Sequence, residues 1–273
     1  MKNIIRFYRL LNILSIDVAL GAVCCAAWFA RLFAVNLKPQ ALIVLGLTVW
    51  TIYTADHLLD AKRTEGIAST ERHRFHQQHF SILVAALILA VITDLIFVFF
   101  IRQAVFEWGL VLSGVVVVYF LVQRFLKYLK EITIAVVFSC GVLLPSVAVT
   151  HESINFSMAI IIGEFMLTAF LNLLLFSWFD RHSDNRDKRE SFVTLAGEVH
   201  SKGFVGAVFL LNGTLLVGSA FLFPDRLASV VILMLMNAVL AFMLFNRNYF
   251  QVHDRFRIVG DAVFLFPSIY LLL

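Results

Sequence analysis

A chain of 273 residues that is 61% hydrophobic, with 28 Phe, a mean hydropathy of +0.90 and only 15% charged residues, carries more apolar surface than one water-soluble core hides. The net charge of +4 and the pI near 9.1 do not require nucleic acid, because the basic residues follow membrane topology. Cys24, Cys25 and Cys140 lie inside apolar runs without a CxxC pair, which speaks against a disulfide frame or a zinc site.

In chain order, Lys2, Arg6 and Arg9 precede an apolar run, as in a secretory signal. The run continues to about Val35 and no small-x-small site ends it, so it reads as a first membrane helix. A spanning helix needs about 20 apolar residues. Nine segments meet that length, at roughly 10–34, 40–60, 80–101, 104–123, 131–150, 156–180, 203–223, 227–245 and 256–273. The connections at 36–39, 102–103, 151–155 and 224–226 are short, whereas those at 61–79 and 181–202 are long and charged. No Gly/Ser linker or low-complexity stretch divides the chain. The expected fold is all-α: one polytopic domain over residues 1–273, with nine transmembrane helices around a cavity that faces the cytoplasm.

Charge gives the orientation. Of the 22 basic residues, four (Arg31, Lys38, Arg102 and Arg226) fall on one side of this topology and the other 18 on the opposite side. The rich side is assigned to the cytoplasm. The chain is then an integral protein of a bacterial inner membrane, with its N-terminus cytoplasmic and its C-terminus outside.

The second segment ends WTIYTADHLLDAKR, in which Asp56 and Asp60 share one helix face and Tyr53 lies a turn below Asp56. The sixth ends with Asp180, Asp184 and Asp187 at i, i+4 and i+7, and Asn172 and Ser177 extend that face into the membrane. Both clusters fall at cytoplasmic helix ends, where five carboxylates could converge on one cavity. Hard oxygen ligands of this kind suit Mg²⁺ together with substrate phosphate. The plainer reading is two unrelated polar loop borders. Lys62, Arg63, Arg124, Lys127, Lys130, Lys188 and Arg189 surround the clusters. They are either the basic loops that cytoplasmic topology requires or the cationic half of a diphosphate clamp. His73, His76 and His79 recur every third residue, a spacing that drifts round a helix and fits a solvated loop better than a metal site. Asp17, Asp94, Glu164 and Asp261 lie inside apolar segments, as functional groups or as helix-packing hydrogen bonds. Asp94 and Glu164 sit too far toward the outer side to join the acidic clusters.

These residues resemble the UbiA-type intramembrane prenyltransferases, which have nine membrane helices and two Asp-rich motifs after helices two and six. Asp56 and Asp60 match the last two acids of N-D-x-x-D-x-x-x-D, with Ile52 in the place of the Asn, followed by Tyr53. Asp180 and Asp187 keep the outer spacing of D-x-x-D-x-x-G-D-R-x-x-G-x-x-T-L-P, and Thr194 and Leu195 fall at the expected distance. Ser183 holds the middle acid's place, with Asp184 one position on, and Arg186 replaces the Gly. The stretch YLKEIT at 128–133 is similar to Y-L-K-R-x-T, with Glu131 in place of the second cation.

The resemblance implies Mg²⁺-dependent transfer of a prenyl group from a prenyl diphosphate to an acceptor, aromatic or lipid, through an allylic cation. Asp56, Asp60, Asp180 and Asp187 would then be catalytic, with Asp184 joining them as metal ligands. Lys62, Arg63, Lys127, Lys130 and Arg189 would hold diphosphate, and Tyr53 and Asn172 would line the cavity. A membrane terpene cyclase on the same scaffold and a non-enzymatic isoprenoid- or lipid-binding protein or transporter are the alternatives. The expected partners are prenyl diphosphate, the acceptor and membrane lipids, not nucleic acid.

Overall fold

A computed structural model of the chain describes residues 2–64, 66–123, 125–151, 153–187 and 189–272, without the side chains of residues 2–5 and 272. Arg124, Lys188 and the side chain of Lys2, three of the basic groups considered above, lie outside the described residues. The described chain is helical and has no strand. Its helices are α1 (Lys2–Ile13), α2 (Ile16–Leu32), α3 (Pro39–Arg63), α4 (Glu71–Gln78), α5 (Phe80–Val98), α6 (Gln103–Val122), α7 (Lys130–Val147), α8 (Phe156–Arg186), α9 (Phe192–Ala196), α10 (Glu198–Leu222), α11 (Leu227–Phe245), α12 (Arg247–Gln251), α13 (Arg255–Ala262) and α14 (Pro267–Leu272).

The two helices that carry the acidic clusters have legible ends. Pro39 opens α3 at a position where its missing N–H leaves no bond unmade, and Lys62 and Arg63 sit in the last turn against the negative end of the helix dipole. Asn155 caps α8, its side chain accepting the Met158 N–H at 2.9 Å. At 31 residues α8 is about 46 Å long, well beyond a hydrocarbon layer of about 30 Å. Its polar end, from Asp180 onward, therefore need not lie in lipid.

The centre of α8 is the core of the bundle. Ile161, Phe165, Leu171, Leu174 and Leu175 are fully buried there, enclosed by α2, α7, α10 and α11. Trp28, Phe29 and Phe264 pack round Phe165. Asn237 donates to Thr168 at 2.8 Å and Asn212 donates to Asn237 at 2.9 Å, joining α8, α10 and α11 by hydrogen bonds inside an apolar bundle. The rim helices α5 and α6 expose apolar side chains such as Leu89, Ile96, Leu110 and Val117, a surface that suits lipid.

Among the described residues seven helices are long and apolar enough to cross a membrane, and eight spans result if the bent pair α1–α2 is one. The expected count of nine is thus not fully reproduced, and the difference lies at the two ends of the chain. The first apolar run bends by 80° at residues 14–15, where Ser15 takes a left-handed φ of 56°. The Trp50 indole donates to the freed Leu14 carbonyl at 2.9 Å, and Asn12 donates to Asp17 across the bend at 2.6 Å, so the break leaves these polar groups bonded. The last run divides into α13, a 3₁₀ turn at Val263–Leu265 and α14. Pro267 has no N–H to continue a helix, and the left-handed His253 and Asp254 turn the chain in ahead of α13. These breaks place Arg257 and Asp261 inside the bundle end.

Candidate functional site

The site lies where α3 and α8 end together. On α3, Asp56 and Asp60 stand one turn apart, and Asp56 Oδ1 is buried without a hydrogen-bond partner among the described residues. The chain then folds back through residues 66–70 into α4. Thr70 caps that helix by accepting the His73 N–H. This return carries Ser69, Arg72 and His73 over the end of α3.

Arg189 ties the pieces together. Its guanidinium lies 3.6 Å from Asp60, 2.7 Å from Thr64 Oγ1, 2.9 Å from the His73 ring and 3.9 Å from Asp187. Asp187 accepts the Ser69 hydroxyl at 2.6 Å and its backbone N–H at 3.2 Å, so it joins the loop after α3 to the end of α8. Asp180 is paired with Arg257 of α13 at 2.5 Å. Lys130, at the start of α7, is within electrostatic reach of Asp56, Asp60 and Asp184, and is, with Arg189, a cation that both acidic clusters share.

The sequence-predicted residues therefore divide. Asp56, Asp60, Asp184, Asp187, Lys130 and Arg189 meet in one region. Arg63 is exposed yet within electrostatic reach of Asp56, and Lys62 and Lys127 are exposed. The five carboxylates do not form a ready metal cage: among the described residues no group of three or more His, Cys, Asp or Glu side chains is placed to hold an ion. Asn172 is buried against Gly260 of α13 and does not line the cavity to which Tyr53 contributes. Glu131, which stands where the resemblance has a second cation, accepts the Phe192 N–H at 2.7 Å and so anchors α9.

The histidines also regroup. His79 stacks on Phe75 with ring centroids 4.2 Å apart, while His73 and His76 turn inward to His57, at 5.8 and 5.2 Å. Burial, with Arg189 and Arg72 close by, lowers the pKa values of His73 and His76 below the usual imidazole range, so both are held neutral.

Sequence reasoning missed Arg72. It is 4% exposed and donates to the Asn12 carbonyl at 3.0 Å, to Asn12 Oδ1 at 3.1 Å and to Asp261 at 3.2 Å. Asn12 in turn donates to Asp17 and Asp261 at 2.6 and 2.8 Å. The signal was the pair Asp17 and Asp261, acids inside apolar runs that need a cation.

Beneath the carboxylates a cavity of about 310 Å³ opens between α3, α5, α6 and α7. Val49, Ile52, Val116, Ile134, Phe138 and other apolar residues form nearly all of its wall. Tyr53 and Tyr119 line it at the end nearest the acids. Tyr119 lies within electrostatic reach of Asp56 and Asp60, and its hydroxyl is buried without a partner among the described residues. Thr48 and Asp94 interrupt the apolar wall deeper in, while Glu164 is elsewhere, hydrogen-bonded to Ser219.

A bundle of membrane-length helices over an apolar cavity, headed by carboxylates and cations, is the architecture of an integral membrane protein. No known family's sequence profile matches the chain, and no curated protein matches it. Two solved structures of a UbiA homologue from Archaeoglobus fulgidus do match in shape. The one bound to GPP and Mg²⁺ has 14% sequence identity, and the one bound to DMAPP and Mg²⁺ has 13%. Each superposes with a TM-score of 0.65 over 96% of this chain and 99% of that one. The fold is the UbiA-type fold.

Proposed function

We propose that this protein is an intramembrane prenyltransferase, moving a prenyl group from a prenyl diphosphate to an aromatic or lipid acceptor. One observation carries the reading: the apolar cavity ends at Tyr53 and Tyr119, directly below Asp56, Asp60, Lys130 and Arg189. A surface for a hydrocarbon tail and a set of charges for an anionic head thus lie next to each other, with the two tyrosines between them. The prenyl diphosphates in the UbiA homologue structures are molecules of this kind.

Mg²⁺ fits the first acidic cluster. Two carboxylates one turn apart, one with a buried oxygen left unbonded, match an ion that takes one or two carboxylates and completes its shell with phosphate and water. Asp56 and Asp60 are the ligands we assign. In the second cluster Asp184 faces the shared Lys130, whereas Asp180 and Asp187 are engaged by Arg257 and Ser69. When bound, the metal supplies positive charge against the departing diphosphate. Lys130 and Arg189 hold the diphosphate oxygens, and Arg63 adds charge at the rim. The C–O bond breaks with its electron pair passing to diphosphate. The apolar wall excludes water from the allylic cation, and the rings of Tyr53 and Tyr119 face it. The acceptor atom then bonds to that carbon and loses a proton. We assign the basic-rich end of the bundle, which carries this site, to the cytoplasm.

The engagement of Asp180 and Asp187 by protein partners favours one second reading, an isoprenoid-binding protein without turnover. Purified protein with geranyl or farnesyl diphosphate separates the two. Mg²⁺-dependent release of diphosphate, lowered at least about 100-fold in Asp56→Asn and Lys130→Ala, supports the transferase. Tight binding of both diphosphates with no release supports the carrier. Absence of binding as well as release overturns both.

A further inference from the structure

Away from the two tyrosines the cavity still carries polar side chains that an apolar tail does not need, those of Thr48, Asp94 and Ser113. Asp94 of α5 and Thr48 of α3 both line it, and the Thr48 hydroxyl donates to Asp94 Oδ2 at 2.7 Å. Asp94 Oδ1 is buried and has no hydrogen-bond partner among the described residues. A carboxyl oxygen left unbonded against hydrocarbon is unfavourable, and it stops being so when a ligand brings a donor to it. Helix pairing alone does not explain the arrangement. The link between α3 and α5 uses Oδ2 and leaves the other oxygen over.

Its depth is informative. Thr48 precedes Asp56 by eight residues on one continuous helix, a rise of about 12 Å. A diphosphate held at Asp56 and Asp60 with its tail in the cavity would put the far end of a chain of two isoprene units near Asp94. A plain hydrocarbon end buries the unbonded oxygen there. An end carrying a hydroxyl donates its O–H to it.

We propose that Asp94, steadied by Thr48, is a polar receptor at the far end of the tail cavity that selects a hydroxyl-bearing isoprenoid chain over a plain hydrocarbon chain of equal length. The inference rests on the prenyl-diphosphate reading for what occupies the near end. The test is calorimetric binding of geranyl diphosphate and of its derivative hydroxylated on the terminal methyl, to the full chain in detergent with Mg²⁺. The wild type is expected to bind the hydroxylated compound about tenfold more tightly. Asp94→Leu, which lines the wall with hydrocarbon, is expected to reverse that order. Asp94→Asn keeps the shape and an acceptor oxygen, and retains part of the preference if the Leu variant does not fold. Equal affinities in the wild type, or an unchanged preference in Asp94→Leu, overturn the proposal. If neither diphosphate binds, the prenyl-diphosphate reading fails and the two corresponding free alcohols decide. An Asp94-dependent preference for the hydroxylated alcohol then supports the receptor, and its absence overturns it.

Discussion

Arg72 is buried to 4% exposure and still keeps its charge matched, because Asp261 and two oxygens of Asn12 surround one end of its guanidinium. Removing one member of such a pair strands the other, which costs about 3–5 kcal/mol, whereas removing both together costs far less. Arg72→Met is therefore expected to lower the melting temperature sharply. Arg72→Met combined with Asp261→Asn should recover most of the loss, as read by thermal unfolding in one detergent. His76 gives a second residue-scale expectation. Its ring is 1% exposed beside Arg72 and His57, and burial lowers its pKa below the usual value near 6.5. The fold holds the neutral form, so His76 is without penalty above that value. As pH falls through it, the unfolded chain gains a proton that the folded one refuses, and stability declines. Melting temperatures taken from about pH 8 to about pH 5 should fall less steeply in His76→Gln than in the wild type.

At the scale of elements, the short α13 matters more than its length implies. Gly260 lets it approach α8 until a side chain of any size would overlap the Phe176 ring and Asn172. Overpacking of this kind costs about 1–3 kcal/mol. Gly260→Ala should destabilise by that amount and disturb the neighbouring Arg257–Asp180 pair. Gly206→Ala, in the middle of α10 with open space around it, should be neutral or mildly stabilising. Thermal unfolding of the two variants checks the contrast. The long charged connections behave as elements too. Residues 66–79 fold back, and Asp187 and Arg189 meet them and the end of α3, with Asp187 on Ser69 and Arg189 on Thr64 and His73. None of these three contacts was legible in the sequence, since each joins segments more than a hundred positions apart.

For the whole molecule, the head site and the cavity share helices: the cavity lies between α3, α5, α6 and α7, and the charged groups stand on α3, at the start of α7 and at the end of α8. A ligand that spans both should stabilise the bundle as a unit. Geranyl diphosphate with Mg²⁺ at about 100 times its dissociation constant should add about 2.7 kcal/mol, seen as a higher melting temperature. A chelator should remove most of that gain, and Asp56→Asn or Lys130→Ala should abolish it. This measurement does not depend on turnover, so it reads the site even where no acceptor is supplied.

The apolar segments, the charge bias between their connections and the acid pair at Asp56 and Asp60 were set by the sequence alone. Each rests on local properties, namely run length, composition and a helix's repeat of 3.6 residues. The breaks in the first and last apolar runs, at Ser15 and around Pro267, were not legible in the sequence, because they depend partly on distant bonds such as Trp50 to Leu14. Only the tertiary structure decided how the five carboxylates differ. Asp180 goes to Arg257 and Asp187 to Ser69, while one Asp56 oxygen has no hydrogen-bond partner among the described residues. Spacing along a helix fixes which face an acid takes, but its partner comes from whichever element folds against that face.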